Sequence, residues 1–142
     1  MIRPLQPPDL AQVAAIWLDA NIQAHAFIPA EYWQGNFSAV REQLAQAEVY
    51  IYEAAGQVLG FIGLDGQYIA GLFVRPGAQG QGIGQQLLDF AKQEKGRLRL
   101  HVYQNNTRAV QFYLREQFVP QQESTDAHTG QQELELLWCA TN

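Results

Sequence analysis

The sequence has one cysteine, Cys139, in 142 residues, which excludes an internal disulfide framework and any zinc site built on paired cysteines. Its three histidines, His25, His101 and His128, are too scattered for close-spaced ligation, so no metal is expected. Long apolar runs are also missing. Stretches such as Val13 to Leu18 fall far short of the roughly 18 residues that span a bilayer, and no membrane segment is expected. Pro4, Pro7, Pro8, Asp9 and Asp19 stand where a secretory leader would need a basic start and an unbroken apolar core. The chain therefore reads as cytoplasmic. No linker, repeat or low-complexity tract interrupts it, and its length and 47% hydrophobic content fit a single domain, residues 1–142.

Positive charge is scarce, with 9 basic against 14 acidic residues and a net charge of −5. An acidic chain of this kind is not expected to bind nucleic acid, which calls for a basic stripe. The balance is uneven along the chain. Residues 1–74 carry two basic and seven acidic side chains, and residues 116–142 carry five acidic and no basic ones. Between them, Arg75, Lys92, Lys95, Arg97, Arg99, Arg108 and Arg115 face only Asp89 and Glu94. This middle segment is either a set of solvated helix faces or a local site for an anion.

The hydrophobic periodicity gives the order of elements. Ile2 to Leu5 reads as a short strand, and Asp9 as the N-cap of a helix carrying Val13, Ile16, Trp17 and Ala20. A helical stretch follows from about Pro29 to Ala47, with a possible break at Gly35, Asn36 and Ser38. Three β-branched and aromatic runs, 49–53, 58–64 and 68–74, are punctuated by Ala55-Gly56 and Asp65-Gly66, which predicts successive antiparallel strands. A helix over 82–94, a strand over 97–103, a helix over 106–116 and a final hairpin complete the chain. The expected class is α/β (α+β), with a mixed, mostly antiparallel sheet. The strand–helix–strand unit from Tyr68 to Tyr103 requires one parallel pair.

Four glycines lie within Gly77 to Gly84, between an apolar strand and an amphipathic helix. Such a turn lets the backbone approach a ligand closely, and the free N–H groups of the helix start favour phosphate. It is neither a P-loop, since no Lys-Ser or Lys-Thr follows, nor the G-x-G-x-x-G dinucleotide fingerprint. Gln79, Gly82 and Gly84 instead fit Gln/Arg-x-x-Gly-x-Gly/Ala, preceded by Leu72-Phe73-Val74-Arg75-Pro76 as L-x-V-x-P. Asn106 to Tyr113 then reads N-x-x-A-x-x-F-Y.

With these two motifs in order, the chain resembles the GNAT superfamily of N-acetyltransferases over almost its whole length. His25-Ala26-Phe27-Ile28, Tyr32-Trp33 and Val102-Tyr103-Gln104 look like small bacterial members of the YiaC type, which implies protein-lysine acetylation. The resemblance implies a sheet of six to seven strands flanked by about four helices and splayed between the fourth and fifth strands.

It also implies acetyl-CoA as cosubstrate, without an obligatory metal. The pyrophosphate would lie on backbone N–H groups of Gln79, Gly80, Gln81, Gly82, Ile83 and Gly84, with Gln85 also contacting the cofactor. The pantetheine arm would lie on backbone groups of Leu72, Phe73 and Val74, with Val74 N–H as oxyanion donor. Asn106, Ala109 and Phe112 would contact it from the next helix. The basic excess of the middle segment would then meet the cofactor's phosphates. Where most relatives carry glycine before the phenylalanine that ends the second motif, this chain has Gln117, which is less suited to a left-handed helix cap.

By resemblance Tyr113 is the general acid at the leaving sulfur. For the base, the strand around Ile69-Ala70-Gly71 offers no ionisable group. His101 is the first candidate because it alternates with Leu100 and Val102 and imidazole titrates near neutrality. A packed or solvent-facing histidine and a water relay remain open, and His25 is the second candidate. His25, Phe27, Tyr32, Trp33 and the small Gly71 are expected to line the acceptor site. Acidic flanking segments favour a cationic acceptor, such as a protein lysine, a chain N-terminus or a polyamine. The alternatives are a small-molecule amine acetyltransferase and a catalytically silent coenzyme A sensor. A monomer and a homodimer are both compatible with the sequence.

Overall fold

The structure, a computed structural model, describes residues 1–140. The chain runs β1 (Ile2–Pro4), a 3-10 turn (Pro7–Asp9), α1 (Leu10–Ala24), α2 (Ala30–Gln46), β2 (Glu48–Ala54), β3 (Gln57–Asp65), β4 (Tyr68–Val74), α3 (Ile83–Glu94), β5 (Arg97–Tyr103), α4 (Thr107–Arg115), β6 (Val119–Thr125) and β7 (Gln132–Cys139). The strands form one sheet in the order β1-β2-β3-β4-β5-β7-β6. Every neighbouring pair is antiparallel except β4 and β5, which are parallel. That parallel pair touches in register only at Tyr68↔Arg99, and Arg99 N donates to Gln67 O at 3.0 Å. Beyond this point the two strands part, as expected from the family resemblance.

Two apolar layers sandwich the sheet. Ile83, Leu87, Leu88 and Ala91 of α3 and Tyr113 of α4 pack with Ile62, Leu98, Leu100 and Leu136 on one face. On the other, Val13, Ala14 and Ile16 of α1 and Leu44 of α2 pack with Val49, Ile51 and Phe61. Leu87 and Leu88 are fully buried, each worth about 2 kcal/mol relative to exposure. In β5 the alternation of buried Leu98, Leu100 and Val102 sends Arg99, His101 and Tyr103 to the opposite face.

Three local expectations are corrected. Asp9 does not cap α1: its carboxylate accepts from Gln6 N at 2.8 Å, closing the 3-10 turn, and pairs with Arg3 at 2.8 Å. The second helix is unbroken from Ala30 to Gln46. Its Asn36 donates from Nδ2 to Tyr32 O at 2.7 Å, and the burial of Trp33 and Leu44 outweighs the weak helix preference at Gly35. Gln117 does take the left-handed conformation, with φ 75°. Phe118 N donates to Tyr113 O and Gln117 N to Leu114 O, a complete Schellman ending despite the side chain. Lys92 Nζ adds a 2.6 Å bond to the last-turn carbonyl of Glu116.

Candidate active site

The glycine-rich turn delivers the chain into α3 through Gly77, Gly80 and Gly82, all with positive φ, and Gly82 at 79° is the helix cap. The first backbone bond across the helix start runs from Gln86 N to Gly82 O at 3.1 Å. The N–H groups of Ile83, Gly84 and Gln85 therefore point out of the helix end, where the dipole favours an anion. Gly84 has room for a Cβ, which would meet Val74 Cγ2 at 3.7 Å and Phe112 Cζ at 3.8 Å in ordinary contact, in keeping with the Gly/Ala alternative at this motif position.

A groove of about 710 Å³ runs from this turn to the parting of β4 and β5. It is lined by Leu72, Phe73, Val74, Gln79, Gly80, Gly82, Ile83, Gly84, Gln85, Asn106, Ala109 and Phe112, all expected from the sequence. Gln81 was also expected and does not line it. Along β4, Arg75 N donates to Leu59 O at 2.7 Å. Because N–H groups alternate sides along a strand, Val74 and Leu72 turn their backbone groups toward the gap left by β5. Phe73, paired with Phe61, commits its backbone to β3 and offers the groove its side chain.

The basic middle segment does not converge on the groove as its charge balance suggests. Of the seven basic residues in the middle segment, only Arg108 and Arg115 line the groove. Arg75 bonds Val58 O and Gln12, Lys95 pairs with Glu48, Lys92 caps α4, and Arg99 stacks on Tyr68. Most of the basic excess holds the fold together, and what the groove offers an anion is largely backbone.

A second cavity of about 270 Å³ opens on the other side of the splay. His25, Trp33, Gly71, His101 and Tyr113 line it, as expected, together with Tyr68, Asn21, Tyr103 and Glu133, which the sequence reading missed. Phe27 and Tyr32 do not. Phe27 packs edge-on against His25 and Tyr103, and Tyr32 against Trp33, so both support the wall from behind. Nor does Gly71 leave room for an acceptor. A Cβ there would come within 2.5 Å of Phe73 Cε2, so the space is filled by the Phe73 ring.

Groove and cavity share His25, Leu72, Phe73, Asn106, Ala109 and Tyr113. Tyr113 is 7% exposed, and burial holds its phenol protonated well above the ordinary tyrosine range. Asn106 caps α4 by accepting from Ala109 N at 3.3 Å, which leaves its Nδ2 to donate to His25 Nε2 at 3.1 Å. His25, stacked on Trp33, is pushed down to about 4 by burial. With its basicity so lowered and its Nε2 lone pair engaged by Asn106, His25 is a poor acceptor for the amine's proton. Its Nδ1 and Trp33 Nε1 are buried without a partner among the described residues, and both side chains wall the cavity.

Opposite them, His101 Nδ1 lies 2.9 Å from Tyr68 Oη and His101 Nε2 lies 3.5 Å from Glu135 Oε2. Burial, then the neighbouring Asp126 charge, raises the Glu133 carboxyl, and His101 opposes the shift. The carboxylates had a legible signal. Glu133 and Glu135 alternate with Leu134 and Leu136 as His101 does with Leu100 and Val102, and β5 pairs His101 with Glu135.

A backbone anion seat, a strand gap open to receive an extended arm and a protonated phenol at the junction define a class, the coenzyme A-dependent N-acetyltransferases. Residues 45–120 match the Acetyltransferase (GNAT) domain family. Over 115 residues the chain is 37% identical to peptidyl-lysine N-acetyltransferase YiaC of Escherichia coli K12, covering 80% of this chain and 79% of that one. It is 32% identical over 103 residues to peptidyl-lysine N-acetyltransferase YjaB of the same organism, covering 72% and 70%. The solution structure of apo-form YjaB from E. coli superposes with a TM-score of 0.87 at 28% identity, over 99% of this chain and 98% of that one. The Thermoplasma acidophilum PaiA N-acetyltransferase in complex with coenzyme A shares the fold, with a TM-score of 0.77 at 19% identity over 95% and 96%. The chain belongs to the GNAT acetyltransferase family, and it is an enzyme that uses acetyl-CoA to acetylate an amine.

Proposed function

We propose that the acceptor amine is the side chain of a protein lysine, entering through the 270 Å³ cavity and meeting the acetyl group at the wall shared with the groove. The observation that carries this reading is that shared wall, with Tyr113 on it and Glu133, Tyr68 and His101 across the cavity. Glu133 suits a cationic acceptor, and the two relatives named as peptidyl-lysine N-acetyltransferases support a lysine.

Acetyl-CoA supplies an acetyl group activated as a thioester. The chain's own residues do the rest. The N–H groups at the start of α3, with Arg108 and Arg115, hold the phosphates, and Leu72 and Val74 align the arm by their free backbone groups. Val74 N–H polarises the carbonyl. The amine nitrogen forms its bond to the carbonyl carbon as the carbon–sulfur bond breaks. Tyr113 donates a proton to the departing sulfur, and the proton shed by the amine passes to His101. An amine near pKa 10.4 and a thiol near 8.5 both gain from such transfers.

Thiol release from acetyl-CoA should be measured with lysine peptides, N-terminal peptides, free amino acids, polyamines and aminoglycosides, with products located by mass spectrometry. Nε-acetyl-lysine as the favoured product is the expected result. Preference for a polyamine or an aminoglycoside would replace the protein acceptor, and binding without turnover on the whole panel would leave a coenzyme A sensor.

A further inference from the structure

His101 lines the cavity with each ring nitrogen facing a different partner. Nδ1 meets the Tyr68 hydroxyl at 2.9 Å, and Nε2 faces the Glu135 carboxylate at 3.5 Å. The Glu135 charge on that side favours the ring proton on Nε2, and Nδ1 is then the lone pair that accepts from the Tyr68 O–H. An acceptor amine therefore cannot reach the basic nitrogen of His101 directly. The oxygen that it can reach is Tyr68 Oη, which lines the same cavity.

We propose that Tyr68, His101 and Glu135, one residue from each of the adjacent strands β4, β5 and β7, form a proton relay that serves the acceptor amine. This deepens the reading of His101 as base and rests on it. The amine gives its proton to Tyr68 Oη while the Tyr68 proton moves to His101 Nδ1, so the phenol ends neutral and the imidazole carries two protons. The Glu135 carboxylate balances that positive charge. The proton then leaves from His101, whose side chain is 28% exposed, to solvent.

The geometry has its own supports. The single register contact between β4 and β5 is Tyr68↔Arg99, and β5 pairs His101 directly with Glu135, so the relay is fixed where the splayed strands still touch. Arg99 lies 4.7 Å from the Tyr68 ring centre and 3.9 Å from Glu135 Oε2, bracing both ends. The charged and titratable groups around His101 are thus Tyr68 from β4, Arg99 from its own strand, and Glu133 and Glu135 from β7. Burial, ahead of the Glu133 charge, raises the Tyr68 phenol. Tyr68 is therefore no standing phenolate and can act only by passing a proton on.

Two measurements test the relay. With three histidines in the chain, nitrogen NMR of the imidazole rings reads the His101 tautomer without any acceptor. Nε2–H is expected, and Nδ1–H would overturn the relay. With poly-L-lysine as acceptor, Tyr68→Phe should lower kcat about a hundredfold with acetyl-CoA KM and thermal midpoint unchanged. Glu135→Gln should lower kcat with acetyl-CoA KM unchanged, because the doubly protonated ring loses its counter-charge. Full activity of His101→Gln would remove His101 as the base altogether. Loss of activity in His101→Gln with full activity in Tyr68→Phe would keep the base and overturn the relay.

Discussion

The two sides of the splay are built from different material. The coenzyme A side is mostly backbone from one contiguous stretch, Leu72 to Gln85, helped by one face of α4. The proposed acceptor side is made of side chains from α1, α2, β4, β5 and β7, which meet only in the fold. A backbone seat depends on conformation, so its sequence signature is a run of glycines and little else. A side-chain site depends on long-range pairing, and its members lie as far apart as Tyr68 and Glu135. The first side therefore tolerates changes that keep φ, whereas the second answers to single functional groups.

Breaking the backbone side should have the largest effect. Gly82 has φ 79°, so Gly82→Glu both strains the turn and puts a carboxylate in the phosphate seat. Acetyl-CoA affinity should fall by about a hundredfold or more, read as loss of the ligand-induced rise in melting temperature. At the junction, Tyr113→Phe should reduce kcat by about tenfold to a hundredfold with cofactor affinity preserved. A fully active Phe variant would take the leaving-group proton from Tyr113.

The acceptor side has a signature in stability against pH. His25 is lowered from 6.5 to about 4 in the fold, so between these values the unfolded chain binds the extra proton. Its contribution is complete above pH 6.5 and is lost as pH falls toward 4. Between pH 7 and pH 5 the loss should be about 2 kcal/mol, seen in urea unfolding and absent in His25→Gln. An equal slope in both proteins would mean that His25 is not held neutral by burial. The smallest effect lies outside both sides. Gln117→Gly relieves a left-handed side chain at the α4 ending and should stabilise by about 1 kcal/mol, with activity unchanged.

This contrast also accounts for what the sequence made legible. The two motifs are local, so Gln79, Gly82, Gly84, Asn106 and Tyr113, all of which line the groove, stand out in the sequence, and the antiparallel run of β2, β3 and β4 followed from alternation and the Ala55-Gly56 and Asp65-Gly66 turns. Tyr68, Glu133 and Glu135 were missed because only the β5–β7 register and the last contact between β4 and β5 bring them to His101. The basic middle segment misled for a related reason. Charge along a chain says nothing of direction, and Arg75, Lys92 and Lys95 point into bonds that hold strands and helix ends.

The two pockets meet at Tyr113, where acetyl transfer is proposed to occur. A crystal structure with a lysyl peptide joined through an acetyl bridge to the sulfur of coenzyme A tests it most directly. The phosphates should lie on the Gln79–Gln85 turn, the sulfur beside Tyr113 Oη, and the lysine side chain should leave between β4 and β5 past Tyr68. A sulfur remote from Tyr113, or a lysine leaving over another face of the sheet, would contradict it.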